Sequence, residues 1–320
     1  VTRNALITGG TGFVGQWLAR ALLEDGWHVL AMGLHSPGTG VLTEAERASI
    51  EWLHSDIRDG DAVYHAVDRA LPEAVFHLAG VSFIPDASGT PAATYDVNVL
   101  GAVRLLTEVA RRRRRGELDP VVLVVGSATQ YGPHPAQDMP LSESAQQCPA
   151  DVYAASKAAQ EIAALQIHRA EGVRIVCTRS FNHSGPGHPD HFLLPALVRR
   201  ALALRQSGER ELRLGNQDSI RDYLHVADVV RAYMMLGQHG VAGEVYNVCS
   251  GEGVSVRQLA DEVLLQVGIS AEITTDPSLV RGVDVAQLVG SPQKLQAATG
   301  WRPTRTRADI IHDLINAATY

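Results

Sequence analysis

Tyr153-Ala-Ala-Ser-Lys157 places a phenol and an ammonium four residues apart. On an α-helix, read here from about Asp151 to Ala170, that spacing turns both side chains toward one pocket. The pairing suits proton transfer. A free phenol titrates at about 10, too high for ready exchange at neutral pH, and a fixed positive charge beside it is expected to lower that value. Lys157 is one of only two lysines in the chain, with Lys294, so the spacing is suggestive. An exposed tyrosine with an incidental lysine one turn on is the bland alternative. Ser127 is a further candidate. It ends the apolar run Pro120–Gly126, and ligands on open parallel sheets bind beyond the carboxyl ends of strands. A serine in a turn is the competing reading.

The elements that must position these groups begin at the N-terminus. Asn4–Thr8 is a short apolar strand, followed by Gly9-Gly-Thr-Gly-Phe-Val-Gly15 and an amphipathic helix over Gln16–Asp25. In that order the glycines allow a tight turn and a close approach to a pyrophosphate, which then sits on the positive end of the helix. Gly9, Thr11, Gly12, Phe13, Val14 and Gly15 are therefore candidate dinucleotide contacts. The second strand, His28–Met32, ends without the acidic residue that would hold the 2′-hydroxyl of NAD; Gly33-Leu-His-Ser36 follows. His35 or Ser36 can hydrogen-bond a 2′-phosphate, so NADP(H) is favoured, but with no arginine at the turn NAD(H) stays open.

A polar loop to about Ser49 precedes a third strand ending Ser55-Asp56-Ile57. Asp56, with Ile57 beside it, either meets adenine or caps the next helix. The fourth strand ends in Leu78-Ala79-Gly80, small enough for a cofactor to pass closely. Thr94–Arg114 reads as one long helix. Asn98 on its apolar surface is either a buried amide satisfied by backbone or a support for the Tyr–Lys site. With the strand Arg174–Arg179, strands and helices alternate throughout this half. The pattern implies an α/β fold, a doubly wound parallel sheet.

After residue 179 the pattern changes. A loop over Ser180–His188 leads to a helix over Phe192–Gln206, a short strand near Leu212 and a helix over His225–Leu236. Glu244–Val248 reads as a buried strand rejoining the first sheet. Helices over Val256–Val267 and from Ser291 (read as the cap), a strand over Glu272–Thr275 and a last helix to about Ala318 complete the chain. Residues 1–179 are thus assigned to a dinucleotide-binding domain, to which 226–250 return, and 180–320 mainly to a smaller C-terminal α/β lobe that binds substrate. His183, His188, Asp190 and His191 lie in an irregular loop without helical HxxxH spacing, so no metal site is expected.

Composition narrows the class. The 320 residues are 45% hydrophobic and 20% charged, as in an ordinary globular protein with a sizeable core. No apolar run approaches the roughly 20 residues of a membrane span, and no signal-like segment opens the chain. Three scattered cysteines, Cys148, Cys177 and Cys249, read as reduced thiols and suggest a cytoplasmic protein. A net charge of −7 argues against nucleic acid as partner. Arg111–Arg115 reads as the solvated end of a helix, complementing its dipole, in preference to a phosphate-gripping patch.

Gly9–Gly15, Ser127, Tyr153 and Lys157 together resemble the extended short-chain dehydrogenase/reductase family. The likeness continues through Arg179–Gly187, Arg221-Asp-Tyr223, Val245–Gly251 and Thr299–Pro303. Within the family these segments look most like GDP-mannose 4,6-dehydratases and the related GDP-4-keto-6-deoxy-D-mannose reductases, the reductases being closer. The resemblance implies a nucleotide-sugar substrate, a GDP-sugar favoured, held by Ser82, Ser127, Asn182, Arg221 and Arg281. It implies Ser127, Tyr153 and Lys157 as the catalytic set, and a homodimer built on the two long helices. Dehydratases of this type carry a carboxylate base two residues after the serine; here Ala128 and Thr129 follow, which disfavours elimination of water. The implied reaction is NAD(P)H-dependent reduction of a 4-keto-6-deoxy sugar nucleotide, GDP-4-keto-6-deoxy-D-mannose to GDP-D-rhamnose or its C4 epimer in the first instance. The Ser-Ala-Thr run is similar to that of UDP-galactose 4-epimerases, so an epimerase with retained NAD is the alternative, and a non-catalytic cofactor-sensing protein a more distant one.

Overall fold

The computed structural model describes residues 3–38, 40–279 and 285–319. Apolar strands alternate with helices through the first half: β1 (Asn4–Thr8), α1 (Phe13–Glu24), β2 (His28–Gly33), α2 (Glu44–Ala48), β3 (Glu51–His54), α3 (Gly60–Ala70), β4 (Ala74–His77), α4 (Ile84–Gly89), α5 (Pro91–Tyr95), α6 (Gly101–Arg114), β5 (Val121–Ser127), α7 (Val152–Glu171) and β6 (Arg174–Ser180). The rest comprises β7 (Asn182–Ser184), α8 (Leu193–Ser207), β8 (Glu211–Leu214), β9 (Ile220–His225), α9 (Val226–His239), β10 (Val245–Val248), β11 (Gly253–Ser255), α10 (Val256–Val267), β12 (Glu272–Thr275), β13 (Gln287–Leu288), α11 (Gln293–Thr299) and α12 (Arg307–Thr319).

Seven parallel strands form the main sheet in the order β10-β6-β5-β4-β1-β2-β3. The chain reverses direction across the sheet between β1 and β4, and a crevice opens there beyond the strands' carboxyl ends. Both faces are buried, which is why the strands read as nearly continuous apolar runs. One face packs Leu18 and Leu22 of α1 and Val229, Tyr233 and Leu236 of α9. The other packs Val63 of α3, Leu105 and Val109 of α6, and Ala164 and Ile167 of α7. The C-terminal lobe has its own core between α8, α10 and α12. In it, β9 pairs with β11, β13 and β7, and β8 pairs with β12.

Three local readings change. The loop before Ser49 contains α2, nucleated by a capping box between Thr43 and Glu46. The expected helix over 94–114 is broken: α5 stops at Tyr95, and Asp96–Leu100 is a π-helical turn before α6. Ser291 does not cap the helix that follows; Pro292 stands at that position. At the end of α6, Arg111 and Arg112 pair with Glu108, Arg113 with Asp119 and Arg114 with Glu171. Carboxylates thus answer these cations locally. No helix among the described residues is long and apolar enough to cross a membrane.

Candidate active site

One cavity of about 830 Å³ runs from the glycine loop to the C-terminal lobe. Gly9, Thr11, Gly12, Phe13, Val14, Gly15, His35, Ile57, Leu78, Ala79, Gly80, Ser82, Ser127, Tyr153, Lys157, Asn182 and Arg221 all border it. Ser36, Asp56 and Asn98 do not. The Asp56 carboxylate turns instead to Arg58, 2.6 Å away, which holds it below the usual carboxylate range. Arg281 lies outside the described residues.

The glycine loop is shaped for a dinucleotide. Gly9 has φ +73°, and a Cβ there would meet the Ala79 amide nitrogen at 2.7 Å. A Cβ on Gly15 would lie 2.4 Å from the Gly9 carbonyl oxygen, so the loop closes only on bare backbone. Gly12 stands at the cap of helix α1, which has no side-chain cap and no acid in its first turn. Its first amides thus border the cavity unneutralised, as an anion requires. These features fit a pyrophosphate. Gly80 widens the far end: a Cβ there would approach Asn98 Oδ1 to 3.0 Å and Lys157 Nζ to 3.3 Å.

Asn98 is the buried amide of the two readings, satisfied by backbone and by one side chain. Its Oδ1 accepts from the Val81 amide at 2.7 Å, and its Nδ2 donates to Val81 O at 3.2 Å and Ser156 Oγ at 2.8 Å. The π turn drops this residue into the interior and ties the segment after β4 to α7. Ser127 caps a 3₁₀ turn; its hydroxyl accepts from the Thr129 amide at 3.2 Å and shares a 2.9 Å hydrogen bond with Thr129 Oγ1.

Burial lifts the Tyr153 phenol above its ordinary value, and the Ser127 hydroxyl beside it, which pulls the other way, does not cancel that effect. This reverses the expected lowering. The reason is geometric: Lys157 donates at 2.9 Å to Val125 O and at 2.9 Å to Gln160 Oε1, directing its amine into β5 and along its own helix. Burial pushes that amine down to about 8.

Sequence reasoning missed an aromatic wall of the same cavity. His188 stacks on Phe13 at 4.6 Å and on Phe192 at 4.4 Å, and His191 packs on Phe83 at 4.3 Å. His188 is held by Ser184 Oγ at 2.9 Å, and burial brings its pKa down to about 3, so it stacks as a neutral ring. Nothing in the irregular Ser180–His188 stretch signals this packing. Also missed is the buried pair Arg179–Glu161, with Gln130 and Gln147 donating to the same carboxylate. Among the described residues bordering the cavity there is no aspartate or glutamate, while Lys157, Arg200 and Arg221 all border it.

The family model described as GDP-mannose 4,6 dehydratase matches residues 6–314. GDP-6-deoxy-D-mannose reductase of Pseudomonas aeruginosa is 33% identical over 309 residues, covering 96% of this chain and 94% of that protein. UDP-glucose 4-epimerase of Halalkalibacterium halodurans is 30% identical, covering 93% and 90%. The structure of RMD from Pseudomonas aeruginosa complexed with NADPH superposes with a TM-score of 0.82 at 31% identity, covering 98% of each chain.

Proposed function

The chain belongs to the GDP-mannose 4,6-dehydratase family, within the extended short-chain dehydrogenases/reductases, and from that premise we propose that it reduces the 4-keto group of a 6-deoxy nucleotide sugar, GDP-4-keto-6-deoxy-D-mannose in the first instance. A nicotinamide dinucleotide supplies the hydride. The chain's own residues do the rest. Ser127 donates a hydrogen bond to the ketone oxygen, and Tyr153 gives that oxygen its proton as negative charge develops there. Lys157 fixes a positive charge at the edge of the same site. The aromatic wall from Phe83 to Phe13 excludes water from it.

The observation that carries this reading is the convergence of Ser127, Tyr153 and Lys157 on the one cavity that the glycine loop also borders. A hydroxyl acid, its serine partner and a cation thus stand where a sugar ketone could meet a dinucleotide. The cavity wall also lacks, among the described residues, the carboxylate that would remove a proton beside the ketone for dehydration.

NADPH is the favoured donor. No acid follows β2, and the exposed Leu34-His35-Ser36 turn leaves room for a 2′-phosphate. The loop beyond is braced by Arg47, which donates to the carbonyls of Pro37 and Gly38. A homodimer through the outer faces of α6 and α7 completes the proposal. The test is NADPH absorbance with freshly made GDP-4-keto-6-deoxy-D-mannose. One NADPH consumed per sugar supports the reductase; isomerised sugar with no loss of absorbance identifies an epimerase instead. Tyr153→Phe is expected to cut turnover by roughly 100- to 10,000-fold with dinucleotide binding kept.

A further inference from the structure

Two buried nitrogens near Lys157 have no hydrogen-bond partner among the described residues: Gln160 Nε2 and His77 Nε2. Neither can be excused by reorientation. Lys157 has only donors to offer, so Gln160 must present its oxygen to the amine, and its NH2 group is left facing the interior. The His77 ring is fixed from the other side by a 2.7 Å hydrogen bond between Nδ1 and Thr8 Oγ1. Gln160 is 1% exposed and His77 0%. Leaving such groups unpaired costs roughly 1–3 kcal/mol each, and native interiors rarely tolerate it.

The two residues converge on one place. Gln160 binds the Lys157 amine directly, and the His77 ring lies close enough to feel its charge. Val75 of β4 packs on the face covered by α7, and alternation along the strand sends His77 to the same side. In register, His77 is aligned with Val124, one residue before the Val125 carbonyl that holds Lys157.

We infer that an internal water bridges Gln160 Nε2 and His77 Nε2, closing a polar column Thr8–His77–water–Gln160–Lys157, and that Gln160 and His77 are positioning residues for the Lys157 amine. A water accepts from the amide and donates to an imidazole whose Nδ1–H is turned to Thr8, which satisfies both orphans with one molecule. Titratable groups stand on Lys157's own helix and on the sheet beneath it. Tyr153 and Glu161 share its helix, His77 comes from β4 and Arg179 from β6; Glu161 and Arg179 neutralise each other, and burial is the influence that depresses the amine. The column is thus a neutral scaffold, setting where the amine sits without adding charge.

The placement of Lys157 in an active site rests on the function proposed above, but the test does not use turnover, so the two can fail separately. With two lysines in the chain, ¹⁵N-lysine labelling gives two Nζ resonances, and Lys294, paired with Glu244 at the surface, is an internal control. Gln160→Leu is expected to lower the Lys157 titration midpoint by about one pH unit. His77→Leu should move it the same way, His77→Gln should restore it, and Lys294 should stay put. A crystal structure of the unmodified chain at a resolution that orders internal solvent should show the bridging water. Unchanged Lys157 titration in folded variants, or a map with no solvent peak between the two nitrogens, overturns the inference.

Discussion

At the scale of single residues, the site sets a stability cost against chemistry. Burial holds the Lys157 amine down at about 8, so between that value and the ordinary lysine range the unfolded chain binds the proton more tightly. Stability from this group therefore rises as pH climbs through that window, and the penalty is fully present at neutral pH. Lys157→Met is expected to raise stability at neutral pH by up to about 3 kcal/mol while lowering turnover. Calorimetry checks this, and the gain should vanish above the lysine range. Ser127 works differently. Its hydroxyl holds the Thr129 turn and lies near enough to Tyr153 to pull the phenol down, so Ser127→Ala should cost roughly 100- to 1,000-fold in kcat with dinucleotide affinity retained, and Ser127→Thr should recover much of it in steady-state assays.

At the scale of elements, the buried Arg179–Glu161 pair joins β6 to α7 beneath the 3₁₀ turn that Ser127 caps. Arg179→Met strands the Glu161 charge in the interior and should cost about 3–5 kcal/mol. The double change Arg179→Met with Glu161→Leu should return most of it, since no unpaired charge remains; denaturant titration of both variants decides. Nothing in the sequence announced this pair, because Glu161 and Arg179 lie on different elements and each alone reads as a surface charge. Long apolar runs such as Val121–Gly126 and the glycine loop were legible, since a period and a backbone requirement are written in consecutive residues. Tyr153 and Lys157 were legible for the same reason. The π turn at Asp96–Leu100 and the brief strands β7, β11 and β13 were not, because they depend on partners distant in sequence. Helix α2 could have been found: Thr43-Glu-Ala-Glu46 is a capping-box pattern in its own right.

At the scale of the whole molecule, the helices that flank the site also carry apolar surface. Leu100 is 48% and Ile162 63% exposed, beside α6 and on α7, and this is the face on which the proposed dimer would form. Ile162→Arg is expected to shift the sedimentation coefficient to that of a monomer; an unchanged value would place any association elsewhere. The cavity's lining reaches further still. A trough edged by ammonium, guanidinium and open helix amides, with no described acid to discriminate, attracts any compact polyanion. Free nucleoside diphosphates and pyrophosphate should therefore compete for occupancy, and Michaelis constants should climb with added salt. Turnover at saturation, governed by groups in the sheltered interior, should stay level.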